Sequence, residues 1–294
     1  MSWLQVSVDV PSAQVEAVTA VLDGAGALSV TLLDALDELL VEPVPGISPL
    51  WKKVRVVALF PAGTDTAAIQ HELRTCLPDM QIHLHSEPLA DRDWSSTWRD
   101  TFNPMCFGSR LWVCPTNAEC PQRDAVIVRL DPGNAFGTGT HATTAMCLAW
   151  LDRHPPAGQS VLDYGCGSGI LAIAAARLGA TRVHAVDIDT SAVTATRDNA
   201  LLNGITEGFV ACLPDEFAAA PAQLLIANIL ANPLQELASQ LCGYLLPGGK
   251  LLLTGILEHQ AQAVQAAYLD WIDFDAPLQR EQWVLLSGTR RADS

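Results

Sequence analysis

The sequence predicts a two-domain α/β protein, in which a small α+β domain precedes a larger domain with a doubly wound, mostly parallel sheet. Three observations lead to this prediction. The chain has 294 residues and is 49% hydrophobic, which suits two cores of unequal size. Residues 1–90 show four strand patterns and two helical patterns. From Gln159 onward, strands alternate with helices.

The small domain is predicted over residues 1–90. Apolar and polar residues alternate in its strand segments, Ser12 opens the first helix, and Gly24 closes it. We expect strands at Trp3–Val10, Leu28–Leu33, Val54–Phe60 and Gln81–His85, and helices at Ser12–Leu22 and Thr66–Leu77. The order β-α-β-β-α-β is that of a ferredoxin-like sandwich. Because this fold supports many activities, it predicts no function by itself.

An interdomain linker, residues 91–115, is predicted to form a helix followed by a strand. It is rich in aromatic residues, namely Trp94, Trp98, Phe102, Phe107 and Trp112. Because such rings bury large areas, we expect them to pack the junction. The alternative is that they form a surface for a partner.

The large domain is predicted over residues 116–294 with seven strands. These are Ser160–Tyr164, Arg182–Ile188, Phe209–Leu213, Leu224–Ile229, Lys250–Ile256, Trp271–Leu278 and Trp283–Gly288. Since no helix separates the last two strands, we expect them to form an antiparallel hairpin at one edge of the sheet. Ligands of doubly wound sheets bind beyond the carboxyl ends of the strands, so the loops after the first, second and fourth strands are the candidate site.

A glycine-rich turn follows the first of these strands. The segment Asp163–Gly169 reads Asp-Tyr-Gly-Cys-Gly-Ser-Gly and runs directly into a helix. Glycines allow the backbone to approach a ligand closely, and the helix start presents free N–H groups to an anion. We therefore select Gly165 and Gly167 as cofactor-binding residues. The turn alone fits either the methionine end of S-adenosylmethionine or a pyrophosphate.

An acidic residue, Asp187, ends the next strand. It stands where a carboxylate can accept hydrogen bonds from both hydroxyls of a ribose, and the alternative is an ordinary carboxylate at a strand end. The turn reads Gly-x-Gly-x-Gly, whereas dinucleotide folds favour Gly-x-Gly-x-x-Gly, and it contains no basic residue for a pyrophosphate. Both features favour S-adenosylmethionine over NAD.

The fourth strand ends at Asn228, which precedes a proline-containing helix start. Transfer of a methyl group from a sulfonium requires a neutral amine whose lone pair faces the methyl carbon. An amide oxygen can accept the N–H groups of that amine and so orient it. Asn228 is therefore our candidate for the methyl-transfer site, and the alternative is an amide that caps a turn.

A loop rich in Gly and Thr, Asp131–Thr144, precedes a helix over Ala145–Leu151. Its hydroxyl and N–H groups suit a small polar ligand. His141 could act as a base, but no partner acid or nucleophile is evident in the sequence, so we favour helix capping or loop packing.

Composition excludes several classes of protein. The net charge of −15 argues against direct nucleic-acid binding and suits a basic protein partner, although an ordinary acidic surface is an equal alternative. The first basic residue is Lys52 and no apolar run spans a membrane, so we expect a cytoplasmic protein. The eight cysteines show no metal-binding spacing, so we expect no metal.

Three segments together resemble the bacterial ribosomal protein L-eleven methyltransferases. They are the glycine-threonine loop Asp131–Thr144, the turn Asp163–Gly169 and the segment Asn228–Ala231, in matching order and spacing. The resemblance extends over nearly the whole chain. It implies a Rossmann-like class I methyltransferase domain of seven strands, preceded by a small ferredoxin-like domain that recognises the substrate.

The resemblance also implies a cofactor and a client protein. S-adenosylmethionine would be contacted by Thr144, Gly165, Asp187 and Asn228. The enzyme would methylate lysine ε-amino groups and the terminal α-amino group of a large-subunit ribosomal protein, free before assembly. The alternatives are a noncatalytic ribosome-associated protein that keeps the cofactor pocket, a methyltransferase for another protein, and an NAD-dependent oxidoreductase.

Overall fold

The protein is described by a computed structural model that covers residues 3–36, 51–78, 82–89, 103–130, 141–218 and 221–292. Contacts between Cα atoms divide the chain into two compact units, Met1–Trp94 and Ser95–Ser294. Within the described ranges, none of the helices has the length and hydropathy needed to cross a membrane.

The first unit contains two helices and four strands in its described residues. In chain order they are β1 (Trp3–Pro11), α1 (Val15–Gly24), β2 (Ser29–Asp34), β3 (Lys53–Pro61), α2 (Thr66–Cys76) and β4 (His85–Leu89). The strands form one antiparallel sheet in the order β2-β3-β1-β4. This order, with the order of elements along the chain, confirms the ferredoxin-like fold.

One face of this sheet forms the core of the first unit. Alternate residues of β1 and β3, such as Val8 and Val56, are buried together with Leu22 of α1 and Leu73 of α2. The helix α2 begins where the Asp65 carboxylate accepts hydrogen bonds from two backbone N–H groups of its first turn.

The prediction of the fourth strand was wrong in position. The strand was expected at Gln81–His85 but lies at His85–Leu89, where it pairs with β1. The buried side chain of Ile82 gave the segment before the strand an apolar pattern, although that residue belongs to the core and not to the ladder. The strand includes Pro88, which has no N–H group; this is tolerated because β4 lies at the sheet edge.

A small three-stranded sheet opens the described part of the second unit. It contains β5 (Met105–Phe107), β6 (Leu111–Cys114) and β7 (Val126–Arg129). Phe107 is buried in the core of this unit, while the indole N–H of Trp112 donates to Gln122 at 3.0 Å. The predicted linker helix lies outside the described residues, as do the other three linker aromatics, Trp94, Trp98 and Phe102. The domain and linker boundaries stay predictions.

The remainder of the second unit alternates strands and helices. In chain order these are α3 (Ala142–Arg153), β8 (Ser160–Tyr164), α4 (Ile170–Arg177), β9 (Arg182–Val186), α5 (Thr190–Leu202), β10 (Phe209–Cys212), β11 (Ala222–Asn228), α6 (Ala231–Glu236), α7 (Ala238–Gly243), β12 (Leu245–Leu257), α8 (Ala261–Tyr268), β13 (Ile272–Phe274), β14 (Leu278–Arg280) and β15 (Trp283–Arg290). The sheet order is β10-β9-β8-β11-β12-β15-β13, and β14 also pairs with β15.

This sheet is covered on both faces. Helices α3, α4 and α5 contribute to the core on one face, and α6, α7 and α8 contribute to the core on the other. The strands from β10 to β12 are parallel, and β15 is antiparallel to both of its neighbours. The predicted doubly wound fold is therefore confirmed. The strand order reverses between β8 and β11, which is where such sheets bind ligands.

The sixth predicted strand is divided into two. The segment Trp271–Leu278 forms β13 and β14, separated by residues 275–277. Pro277 lies in this break and has no N–H group to donate to a ladder. Both short strands pair with β15, so the expected antiparallel edge is present.

Candidate functional site

The glycine-rich turn after β8 has a backbone that only glycine adopts readily. Gly165, Gly167 and Gly169 have φ angles of 82°, 54° and 79°. A Cβ atom at Gly165 would lie 2.1 Å from the Cγ2 atom of Ile229, and one at Gly169 would lie 2.7 Å from the Cγ2 atom of Thr196. The turn is therefore held tightly between the β11 loop and α5, with Gly169 as the N-cap of α4.

Asp187 joins the end of β9 to this turn. Its Oδ2 atom accepts a hydrogen bond from the Gly167 N–H at 2.8 Å, and its Oδ1 atom accepts one from the Asp189 N–H at 3.0 Å. An ionised carboxylate can accept about four hydrogen bonds. The partly buried group can thus hold the turn and still accept hydroxyl donors from a ligand.

Asn228 ends β11 and contacts the first turn of α3. Its Nδ2 group donates to the Thr144 Oγ1 atom at 3.3 Å, and Thr144 is buried. The loop after Asn228 is braced by Gly255 of β12, whose φ is 87°. A Cβ atom there would lie 2.2 Å from the carbonyl oxygen of Ile229. These contacts fix the position of the Asn228 side chain relative to α3.

A cavity of about 460 Å³ lies where these elements meet. It is lined by His141, Thr143, Thr144, Gly165, Cys166, Gly167, Ile170, Leu171, Asn228, Ile229, Leu230, Gly255 and Trp283. Four of the five predicted site residues therefore line one cavity. The fifth, Asp187, is outside this lining but is hydrogen-bonded to Gly167, which belongs to it. A cavity of this size can hold a small organic cofactor.

Comparison with known proteins identifies the family. The family model described as "Ribosomal protein L11 methyltransferase (PrmA)" matches residues 2–291. The chain belongs to this family. A relative of the same name from Pseudomonas aeruginosa is 50% identical over the full length of both chains, and one from Hahella chejuensis is 47% identical over 99% of each.

A solved structure supports the same assignment. The crystal structure of a ribosomal protein L11 methylase from Lactobacillus delbrueckii subsp. bulgaricus has a TM-score of 0.59 and 32% identity. It covers 65% of this chain and all of that one. The predicted class, an S-adenosylmethionine-dependent methyltransferase, is therefore confirmed for this L11 methyltransferase family member, and the alternative of an NAD-dependent oxidoreductase is wrong.

In this L11 methyltransferase family member, His141 has the capping role that we favoured from the sequence. It is the N-cap of α3, and its Nδ1 atom accepts a hydrogen bond from the Thr143 N–H at 3.4 Å and lies 2.7 Å from the Thr143 Oγ1 atom. The loop residues 131–140 lie outside the described residues. The imidazole also lines the cavity and packs edge-to-face against Trp283, with ring centroids 4.8 Å apart.

Asp163 is a buried carboxylate beneath the turn. Its Oδ2 atom accepts the Ala172 N–H at 3.0 Å, while Oδ1 has no hydrogen-bond partner among the described residues. Its pKa is raised to about 7, mainly because the group is buried; the hydrogen bond from Ala172 opposes this rise, and the nearby charge of Asp187 adds to it. The sequence showed Asp163 only as the first residue of the motif, because burial is a property of the packed structure.

The sequence analysis did not select two further residues: Trp283, which lines the cavity, and Ile188, which adjoins Asp187 in the sequence and is outside the lining. Trp283 lines the cavity although it lies far along the chain from the turn, and the order of the strands is what places it there. Ile188 follows Asp187 and is 84% exposed, which is unusual for so large an apolar side chain. The signal in the sequence that could have identified Ile188 is its position directly after Asp187.

Proposed function

We propose that this enzyme transfers methyl groups from S-adenosylmethionine to lysine ε-amino groups and the terminal α-amino group of ribosomal protein L11. The observation that carries the proposal is a single cavity at the strand ends, where the glycine-rich turn, Thr144 and Asn228 meet. The cofactor supplies an electrophilic methyl group on a sulfonium. The protein has to bind the cofactor, exclude water and orient the amine.

The proposed cofactor-binding residues are Thr144, Gly165, Gly167, Asp187 and Asn228. The turn residues bring backbone N–H groups and the start of α4 toward the carboxylate of the methionine portion. Asp187 accepts hydrogen bonds from the ribose hydroxyls, and the exposed Ile188 side chain offers an apolar surface to the adenine ring. None of these roles requires a metal ion.

Asn228 is proposed to orient the amine. A lysine amine is normally protonated, since its reference pKa is about 10.4, so it must bind in its neutral form. Burial among apolar residues such as Ile170 and Leu171 disfavours the charged form. The amide oxygen of Asn228 then accepts an amine N–H, and the nitrogen lone pair forms the new N–C bond. The electron pair of the broken S–C bond stays on sulfur.

The client is proposed to be free L11 in the cytoplasm, recognised by residues 1–90. The net charge of −15 favours a basic protein client and opposes binding to nucleic acid. The alternative is a methyltransferase for another protein.

The test is methyl transfer to purified L11 with labelled S-adenosylmethionine, followed by mass spectrometry of the product. We expect the label on amino groups of L11. Transfer to a different protein alone would overturn L11 as the client, and cofactor binding without transfer to L11 or to other ribosomal proteins would refute the proposed function.

The role of Asp187 is tested by Asp187→Ala. Loss of a charge-assisted ribose contact is expected to cost about 1.5 to 3 kcal/mol of cofactor binding, or roughly 10- to 150-fold in Kd. The control is Asp198→Ala, which removes the same charge from an exposed position of α5. Equal affinities of the two variants in calorimetry would remove Asp187 from the site.

A further inference from the structure

The sheet order separates the rim of the cavity into two sides. The turn after β8 forms one side, with Asp187 after β9 hydrogen-bonded behind it, and we assign this side to the cofactor. On the other side lie Asn228 at the end of β11, then β12, then the start of β15. Because the amine must approach the cofactor from outside it, the side of β11, β12 and β15 is where an acceptor side chain enters.

Trp283 is the first residue of β15 and lines this acceptor side. Its backbone pairs with Leu257 at the end of β12. The indole ring is only partly buried and belongs to the cavity wall. Since β15 is antiparallel to β12, its first residue comes to the same edge of the sheet as the ends of the parallel strands.

The Trp283 ring contacts the start of α3. It makes an edge-to-face contact with His141, with an interplanar angle of 68°. His141 caps α3 through Thr143, and the next residue, Thr144, accepts the hydrogen bond from Asn228. The start of α3 therefore connects the indole ring on one side with the amide that we propose orients the amine.

We propose that Trp283 is an acceptor-binding residue: its indole ring packs against the methylene and N-methyl groups of the amine that enters the cavity. This inference rests on the proposed function. Each transfer leaves a positive charge on the amine nitrogen, and an indole face attracts alkylammonium groups. An aromatic wall thus suits both the aliphatic chain of the acceptor and its methylated product.

The test uses the full-length enzyme with Trp283→Ala and Trp283→Phe. Steady-state kinetics with L11 give kcat and KM, and calorimetry gives the Kd of S-adenosylmethionine. We expect Trp283→Ala to lower kcat/KM for L11 by roughly 5- to 50-fold, with a cofactor Kd within about twofold of the wild type. Trp283→Phe keeps an aromatic ring and is expected to restore most of the activity.

Two further variants sharpen the test. His141→Asn keeps a good N-cap but removes the ring that holds Trp283, so we expect a smaller loss in kcat/KM for L11. Trp271→Phe serves as the matched control: Trp271 is also partly buried but packs against the core on the opposite face of the sheet, so the change should alter neither kcat/KM nor the cofactor Kd.

Several results would overturn the inference. A cofactor Kd that weakens as much as kcat/KM falls would make Trp283 a cofactor contact, and unchanged kinetics in Trp283→Ala would remove the ring from the site. If Trp283→Ala does not fold, kcat/KM for L11 and the cofactor Kd are compared between Trp283→Leu and Trp283→Phe, and the same criteria apply. If the wild-type enzyme methylates no amine, the proposed function itself is refuted. This result differs from those that refute only the role of Trp283, so the two failures can be distinguished.

Discussion

The buried carboxyl group of Asp163 makes the stability of the second unit depend on pH. Its pKa is about 7 in the folded protein, against an ordinary value of 3.8. A group with a raised folded pKa contributes stability that is fully present below its unfolded pKa and is lost as the pH rises through its folded pKa. Here the loss runs from about pH 4 to about pH 7.

The size of the effect follows from this pKa difference. At about 1.4 kcal/mol per pKa unit, a difference of roughly three units changes the free energy of unfolding by about 4 kcal/mol once the pH has passed both pKa values. Between pH 5 and pH 8, the loss is about 3 kcal/mol. Asp163→Asn mimics the protonated group and can still accept the Ala172 N–H, but it does not titrate.

The measurement is urea unfolding of wild type and Asp163→Asn, without cofactor, from pH 5 to pH 8. As the pH rises, the free energy of unfolding of the wild type should fall by about 3 kcal/mol relative to that of the variant. The contributions of the other titrating groups are the same in both proteins and cancel in the comparison. Any constant offset from burying the new amide N–H group also cancels. Parallel pH profiles of the two proteins would refute the reasoning.

Two other substitutions test the packing around the site. Gly165→Ala should abolish cofactor binding in calorimetry, because its Cβ atom would overlap Ile229. The control Gly204→Ala has a similar φ of 68° and open space, so it should bind normally, and equal binding by both variants would contradict the expectation. Asp152→Ala removes the buried acceptor of three backbone N–H groups in the β5–β6 turn and should cost about 3 kcal/mol of unfolding free energy. The control Asp273→Ala breaks an exposed ion pair and should cost under about 1 kcal/mol of unfolding free energy. An equal loss in both variants would argue against a stabilising role for the hydrogen bonds to Asp152.

The sequence predicted the larger sheet well where local patterns decide. The strand β8 was placed correctly because it is an apolar run bounded by a glycine turn, and Asp187 was selected because it is an acidic residue at the end of the next predicted strand; in the structure it directly follows that strand. The strand β4 was misplaced because a buried residue outside the ladder imitated a strand pattern. Local patterns report burial, and they do not report which backbone groups pair.

Non-local features could not be predicted from the sequence. Trp283 reaches the cavity because β15 inserts antiparallel between β12 and β13, and no local signal in the chain encodes that order. The raised pKa of Asp163 likewise depends on helices that cover it in the folded protein. The prediction of the client protein came from the resemblance to a family, because composition alone does not identify a client.

The most direct test of the account is a crystal structure of the enzyme with S-adenosylhomocysteine. We predict that the ribose hydroxyls lie within hydrogen-bond distance of Asp187 and that the sulfur faces the side of the cavity formed by Asn228 and Trp283. A ligand bound at another place, or bound here with its sulfur turned away from Asn228, would contradict the central claim.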